Sequence, residues 1–94
     1  MSADDAAPRE TQDAVVVDAR GLRCPLPVIR LAAAARDLPA GTLVTVLSTD
    51  PAARHDVPAW ARMRGHVAVA EAESESDDDG ATRWSLTVRL GAAT

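Results

Sequence analysis

Asp18-Ala19-Arg20-Gly21-Leu22-Arg23-Cys24-Pro25-Leu26-Pro27 is the stretch on which the reading of this chain turns. Behind it lies Ala14-Val15-Val16-Val17, a run of small and β-branched residues without alternation, as in a short, well-covered strand. Ahead of it Val28, Leu31, Ala32 and Ala35 recur at the spacing of one helix face, which Ile29 and Leu38 widen. A strand thus passes into a helix across a turn that holds the only cysteine of the 94 residues. Pro25 has no N–H and a fixed φ, which suits the first helical position and puts Cys24 at or beside the N-cap. Proline also restricts the residue before it to extended conformations, and Gly21 supplies an unusual backbone angle on the way in. A thiol so placed is predicted to feel unpaired helix N–H groups and the positive end of the helix dipole, with Arg20 and Arg23 adding charge. Those influences favour thiolate and suit a nucleophile. The competing reading is that Cys24 is a small apolar filler, as free cysteines often are.

Beyond the turn, the first helix is expected to run from Pro25 to about Asp37, with Pro39 and Gly41 marking its exit. Leu43–Leu47 reads as a second strand, parallel to the first through a right-handed crossover. Ser48-Thr49-Asp50 follows, with Asp50 or Thr49 as N-cap and Pro51 in a first turn. Sites gather at the carboxyl ends of parallel strands, so Asp50 and Cys24 are predicted to share an edge. The second helix stops at Gly65, but Pro58 cannot donate to the carbonyl of Arg54. Either a single turn precedes a helix capped by Asp56, or one helix bends there. Trp60 is expected as a core anchor, with Met63 joining the buried side. Val67–Glu73 and Arg83–Leu90 alternate as strands covered on one side, the second with Trp84, Leu86, Val88 and Leu90 inward. Ser74–Gly80 is a charged connection between them. The order β-α-β-α-β-β predicts an α+β two-layer sandwich, a four-stranded mixed sheet with two helices on one face. One domain over residues 14–90 is expected between a disordered acidic tail, 1–13, and a short C-terminal tail, 91–94.

Composition narrows the function. The chain is 47% hydrophobic but only 2% aromatic, so its core must be built from Val, Leu, Ile and Ala. A single cysteine forbids an internal disulfide and suits a reducing compartment. No apolar stretch approaches the roughly 18 residues of a membrane span, and the N-terminus lacks a secretory pattern, so a cytoplasmic location is expected. Residues 14–66 carry seven arginines against four aspartates, while both flanks are acidic and the net charge is -4. That balance and the scarcity of aromatic residues argue against direct nucleic-acid binding. His55 and His66 assemble neither a Cys–His protease pair nor a zinc site, and no glycine-rich phosphate loop is present. Glu71, Glu73, Glu75 and Asp77–Asp79 lack the ligand spacing of a calcium loop. No metal or cofactor is expected.

Gly21-Leu22-Arg23-Cys24-Pro25-Leu26-Pro27, followed by Asp50-Pro51-Ala52 and Asp56-Val57-Pro58, resembles the TusA/SirA-like sulfur carrier family from about Val15 to Leu90. The resemblance implies the sandwich above with its fourth strand antiparallel to the others. It implies a sulfurtransferase in which Cys24 carries sulfur as a persulfide. The sulfur would come from a donor such as a cysteine desulfurase or rhodanese-like enzyme and pass to an acceptor protein. The pathways it implies are transfer-RNA thiolation, cofactor assembly or sulfur metabolism. On this reading Arg20 and Arg23 hold the anionic persulfide or orient the donor. Pro25 and Pro27 fix the mount, Gly21 and Leu22 belong to it, and Asp50 is a cap or partner contact. Two departures stand out: Ala32 and Ala33 replace basic residues found in many members, and Trp60-Ala61-Arg62 occupies the place of a second cysteine found in some. Discharge as a disulfide would then need another molecule. Two rivals remain: a non-catalytic regulatory module with a packed or redox-sensing cysteine, and a self-sufficient thiosulfate sulfurtransferase.

Overall fold

A computed structural model of the protein describes residues 14–75 and 82–91. The tail expected over 1–13, most of the connection over 74–80 and most of the tail over 91–94 lie outside the described residues. The β-branched runs Val15–Ala19 (β1) and Leu43–Ser48 (β2) pair in parallel, Val17 opposite Val46 and Ala19 opposite Ser48. Between them runs the helix Leu26–Ala35 (α1), and after β2 come the helix Ala53–Arg64 (α2) and the strands Val67–Glu75 (β3) and Thr82–Arg89 (β4). The sheet order is β1-β2-β4-β3, with β4 antiparallel to β2 and β3. Helix α1 lies over β1 and β2, α2 over β3 and β4, and the helices touch each other. This is the two-layer α+β sandwich that the element order predicts.

The core lies between the layers. Val44 and Val46 from β2, Leu86 and Val88 from β4, Leu31 from α1 and Val57 and Ala61 from α2 are buried. Fully burying such an aliphatic side chain is worth about 1.5–3 kcal/mol. The open face of the sheet is tied across β2 and β4 by a 2.8 Å hydrogen bond between the Thr45 and Thr87 hydroxyls.

Several expectations fail for identifiable reasons. β1 reaches Ala19 and is not covered on both sides: Val16 is 60% exposed on the helix-free face. Ile29 and Met63 are exposed, because only one stripe of each helix meets the sheet. Trp60 is half-buried against the core, its ring tilted over His66 at 4.7 Å between centroids. In β3 the pairing slips between Ala68 and Ala70, a bulge at Val69 that sets Glu71 opposite Leu86 and Glu73 opposite Trp84. An extra residue reverses which face the following side chains occupy, so the glutamates fall on the helix side. Arg54 of α2 meets Glu71 there, Nε to Oε2 at 3.1 Å. All nine residues of β3 are exposed, where alternation alone predicts a covered face.

Helix α2 runs through Pro58 as one helix with Ala52 rather than Asp56 as its cap, and ends at Gly65. Gly65 has φ +81°, and its N–H and that of His66 close on the carbonyls of the last turn. A methyl group added at Gly65 would meet nothing within 4 Å, so substitution is penalised by backbone conformation alone. Gly65→Ala is expected to lower stability in chemical denaturation by about 1–2 kcal/mol, the usual penalty for an L-residue in the left-handed region.

Candidate functional site: a thiol between two loops

At the carboxyl ends of β1 and β2, two loops are laced together. After β1 the chain turns tightly, Leu22 N–H donating to the Ala19 carbonyl at 3.1 Å, with Gly21 at φ +84°. Gly21 N–H donates to Thr49 Oγ1 at 2.9 Å. Asp50 makes the central tie: Oδ2 accepts the Cys24 N–H at 2.7 Å and Oδ1 accepts the Ala52 N–H at 2.9 Å. The buried Ser48 Oγ in turn accepts the Asp50 N–H at 3.0 Å. One carboxylate thereby fixes the cysteine turn and the start of α2 relative to each other. These bonds to its anionic form, from Cys24 and Ala52, hold the Asp50 pKa below the ordinary carboxylate range.

The predicted meeting of Asp50 with Cys24 is thus present, but the capping differs from expectation. The α2 N-cap is Ala52, and Asp50 closes the turn before it. Helix α1 starts at Leu26 with Pro25 as its cap residue, and Pro27 occupies a first-turn position where its missing N–H has no partner to lose. Cys24 therefore stands one residue outside the cap, and the Cys24–Pro25 peptide is cis.

The half-buried Cys24 Sγ donates a hydrogen bond to Oδ2 of Asp56, in the first turn of α2. This reverses the electrostatic expectation. The hydrogen bond to Asp56, then burial, then the negative charges of Asp56 and Asp50 push the thiol up to about 11. Cys24 stands outside the α1 cap, and the charge nearest its sulfur is the Asp56 carboxylate rather than the positive end of that helix. Sequence reasoning named Asp56 only as a possible helix cap and as part of the second motif block and missed its contact with Cys24, although its place early in a helix starting at the same sheet edge was a usable signal.

The arginines divide. Arg20 forks onto Asp18, Nε to Oδ1 at 2.8 Å and Nη2 to Oδ2 at 2.7 Å, which drives the Asp18 pKa well below the carboxylate range. Arg20 is thereby engaged away from the sulfur. Arg23 is exposed, and its charge acts on Asp50. Leu22 packs against the core and Pro27 is buried, so both anchor the mount, while Pro25 is exposed. A cavity of about 410 Å³ between the two loops is lined by Gly21, Leu22, Arg23, Thr49, Asp50 and Pro51, with Cys24 outside its lining. At the other end of the sheet His66 Nδ1 accepts the Gly91 N–H at 2.9 Å, a structural role.

The raised thiol pKa sets a pH dependence. A folded-state pKa above the unfolded value favours the folded state while the thiol stays protonated, and that contribution is lost as pH rises from 9.0 toward about 11. Denaturation midpoints of the native chain should therefore fall faster across this window than those of Cys24→Ala.

The chain's single thiol thus sits on a tight turn, flanked by carboxylates, at the carboxyl edge of a small α+β sandwich. The family described as Sulfurtransferase TusA matches residues 15–89. The sulfur carrier protein TusA of Pseudomonas savastanoi pv. phaseolicola is 49% identical over 65 residues, 69% of this chain and 76% of that protein. The sulfur carrier protein TusA of Pseudomonas putida (strain GB-1) is 44% identical over 63 residues, 67% of this chain and 78% of that protein. The crystal structure of a SirA-like protein from Desulfitobacterium hafniense superposes with a TM-score of 0.62 at 32% identity, over 82% of this chain and 97% of that one. The chain belongs to the TusA family of sulfur-transfer proteins.

Proposed function

We propose that the protein is a sulfurtransferase acting as a carrier in the cytoplasm: Cys24 accepts sulfur as a persulfide from a donor protein and relays it to an acceptor. The observation that carries this reading is the chain's only thiol, half-buried on a braced turn within the stretch that matches the family. In the step, the Cys24 sulfur attacks the outer sulfur of a donor persulfide. A new S–S bond forms on Cys24, the donor's S–S bond breaks, and the donor leaves as a thiol with the proton Cys24 gave up. No external oxidant enters. A cysteine desulfurase or a rhodanese-like enzyme has the chemistry of the donor. The acceptors would serve transfer-RNA thiolation, cofactor assembly or sulfur metabolism. Arg23, Asp50 and the cavity between them offer charged contacts to both kinds of partner, and Gly21, Pro25 and Pro27 hold the turn in place.

Intact-mass measurement after incubation with a cysteine desulfurase and cysteine tests the proposal. A gain of one sulfur atom, reversed by dithiothreitol, is expected. A thiol pushed up to about 11 is also what a packed, unreactive cysteine shows, and that observation favours the rival regulatory module. No adduct with several active donors would decide for the rival.

A further inference from the structure

The Asp56 carboxylate accepts the hydrogen bond of the reacting sulfur, and its charge is unneutralised by any ion pair among the described residues. The charged groups around the thiol are few. Asp56 faces it from α2, Asp50 from the loop after β2, and Arg23 from its own turn with its charge on Asp50. Arg20 is committed to Asp18 and Arg54 to Glu71. The chain thus places the Asp56 carboxylate on the sulfur and the Asp50 carboxylate on the backbone N–H of the same residue, and among the described residues none of its cations pairs with Asp56.

We propose that Asp56 is a proton latch on Cys24, and that the latch is released by a basic side chain of the sulfur donor, which docks on the Asp56 carboxylate and frees the sulfur for attack. This rests on the persulfide-carrier reading and adds to it the chemistry of the partner surface: a guanidinium or ammonium group beside the donor's persulfide. A carboxylate is too weak a base to strip a thiol titrating near 11 at neutral pH, which excludes Asp56 as a free-standing general base. An opposite charge within about 4–6 Å of Asp56 would cancel the influence that disfavours thiolate. In the complete step Cys24–SH and the donor's R–S–SH become Cys24–S–SH and R–SH. The Cys24 proton ends on the leaving sulfur. Between encounters the latch keeps the sulfur as thiol, the form that resists oxidation and stray alkylation.

The test uses the thiol alone and needs no donor, so it stands apart from the mass measurement. The rate of iodoacetamide alkylation is followed against pH for the native chain and Asp56→Asn, with circular dichroism to confirm folding. The native midpoint is expected near 11 and the variant's clearly lower, with burial and the Asp50 charge still holding it above the ordinary 9.0. For each unit by which the midpoint falls, thiolate at pH 7 rises about tenfold while its intrinsic nucleophilicity falls about threefold, for a net gain of about threefold. Methanethiosulfonates give a second readout on the unmutated chain: the trimethylammonium reagent should react several-fold faster than the sulfonate reagent, and Asp56→Asn should shrink that preference. Equal midpoints in native and variant chains, or no preference for the cationic reagent in the native chain, would overturn the latch.

Discussion

Cys24→Ser is expected to take up no sulfur from a desulfurase and to reduce relay to an acceptor to the uncatalysed background. Serine differs by one atom and still donates a hydrogen bond, so its hydroxyl can keep the Asp56 contact and its N–H can keep the bond to Asp50. The fold should therefore survive, with a denaturation midpoint close to that of the native chain. The chemistry does not survive, because a hydroxyl with a much higher pKa than a thiol presents no usable nucleophile to a persulfide at neutral pH. With one cysteine in the chain, no second thiol can substitute. Transfer measured with radiolabelled cysteine, alongside intact mass, separates this outcome from simple unfolding. Label retained on the Cys24→Ser chain would place the acceptor atom elsewhere.

The second large effect concerns the scaffold. Leu31 is completely buried where α1 crosses β1 and β2, in a core with no Phe or Tyr to spread over a gap. Leu31→Ala removes three carbons and leaves a void lined by small, stiff side chains such as Val44 and Val46 that have little room to close it. A loss of about 2–5 kcal/mol is expected, a large part of the 5–15 kcal/mol typical of a small domain. Urea denaturation followed by tryptophan fluorescence should show a midpoint shift with little change of slope. An alanine variant within 1 kcal/mol of the native chain would mean that the helix relaxes onto the sheet.

The strand and helix sequence was legible because the apolar spacing of β2, α1 and β4 matches a single buried face in each. Trp84, Leu86, Val88 and Leu90 are all buried, in the alternation that the letters show. The meeting of Cys24 with Asp50 was legible too, since two parallel strands must end at one edge. What the letters hide is the count of residues across a pair of strands. The bulge at Val69 depends on how β3 meets β4, and it alone decides that Glu71 faces Arg54. The state of the thiol was hidden for a similar reason: local rules see Cys24 beside the helix it precedes, whereas its nearest charge arrives from Asp56, thirty-two positions later. Arg20 was misjudged because Asp18, two residues away, outcompetes the sulfur for its guanidinium.

The edge strand β3 combines a bulge with Glu71, Glu73 and Glu75, features that discourage another chain from annealing to its free backbone groups. A protein that meets the sheet on this side would therefore hold it by side chains rather than by adding a strand, which leaves β1 as the other edge.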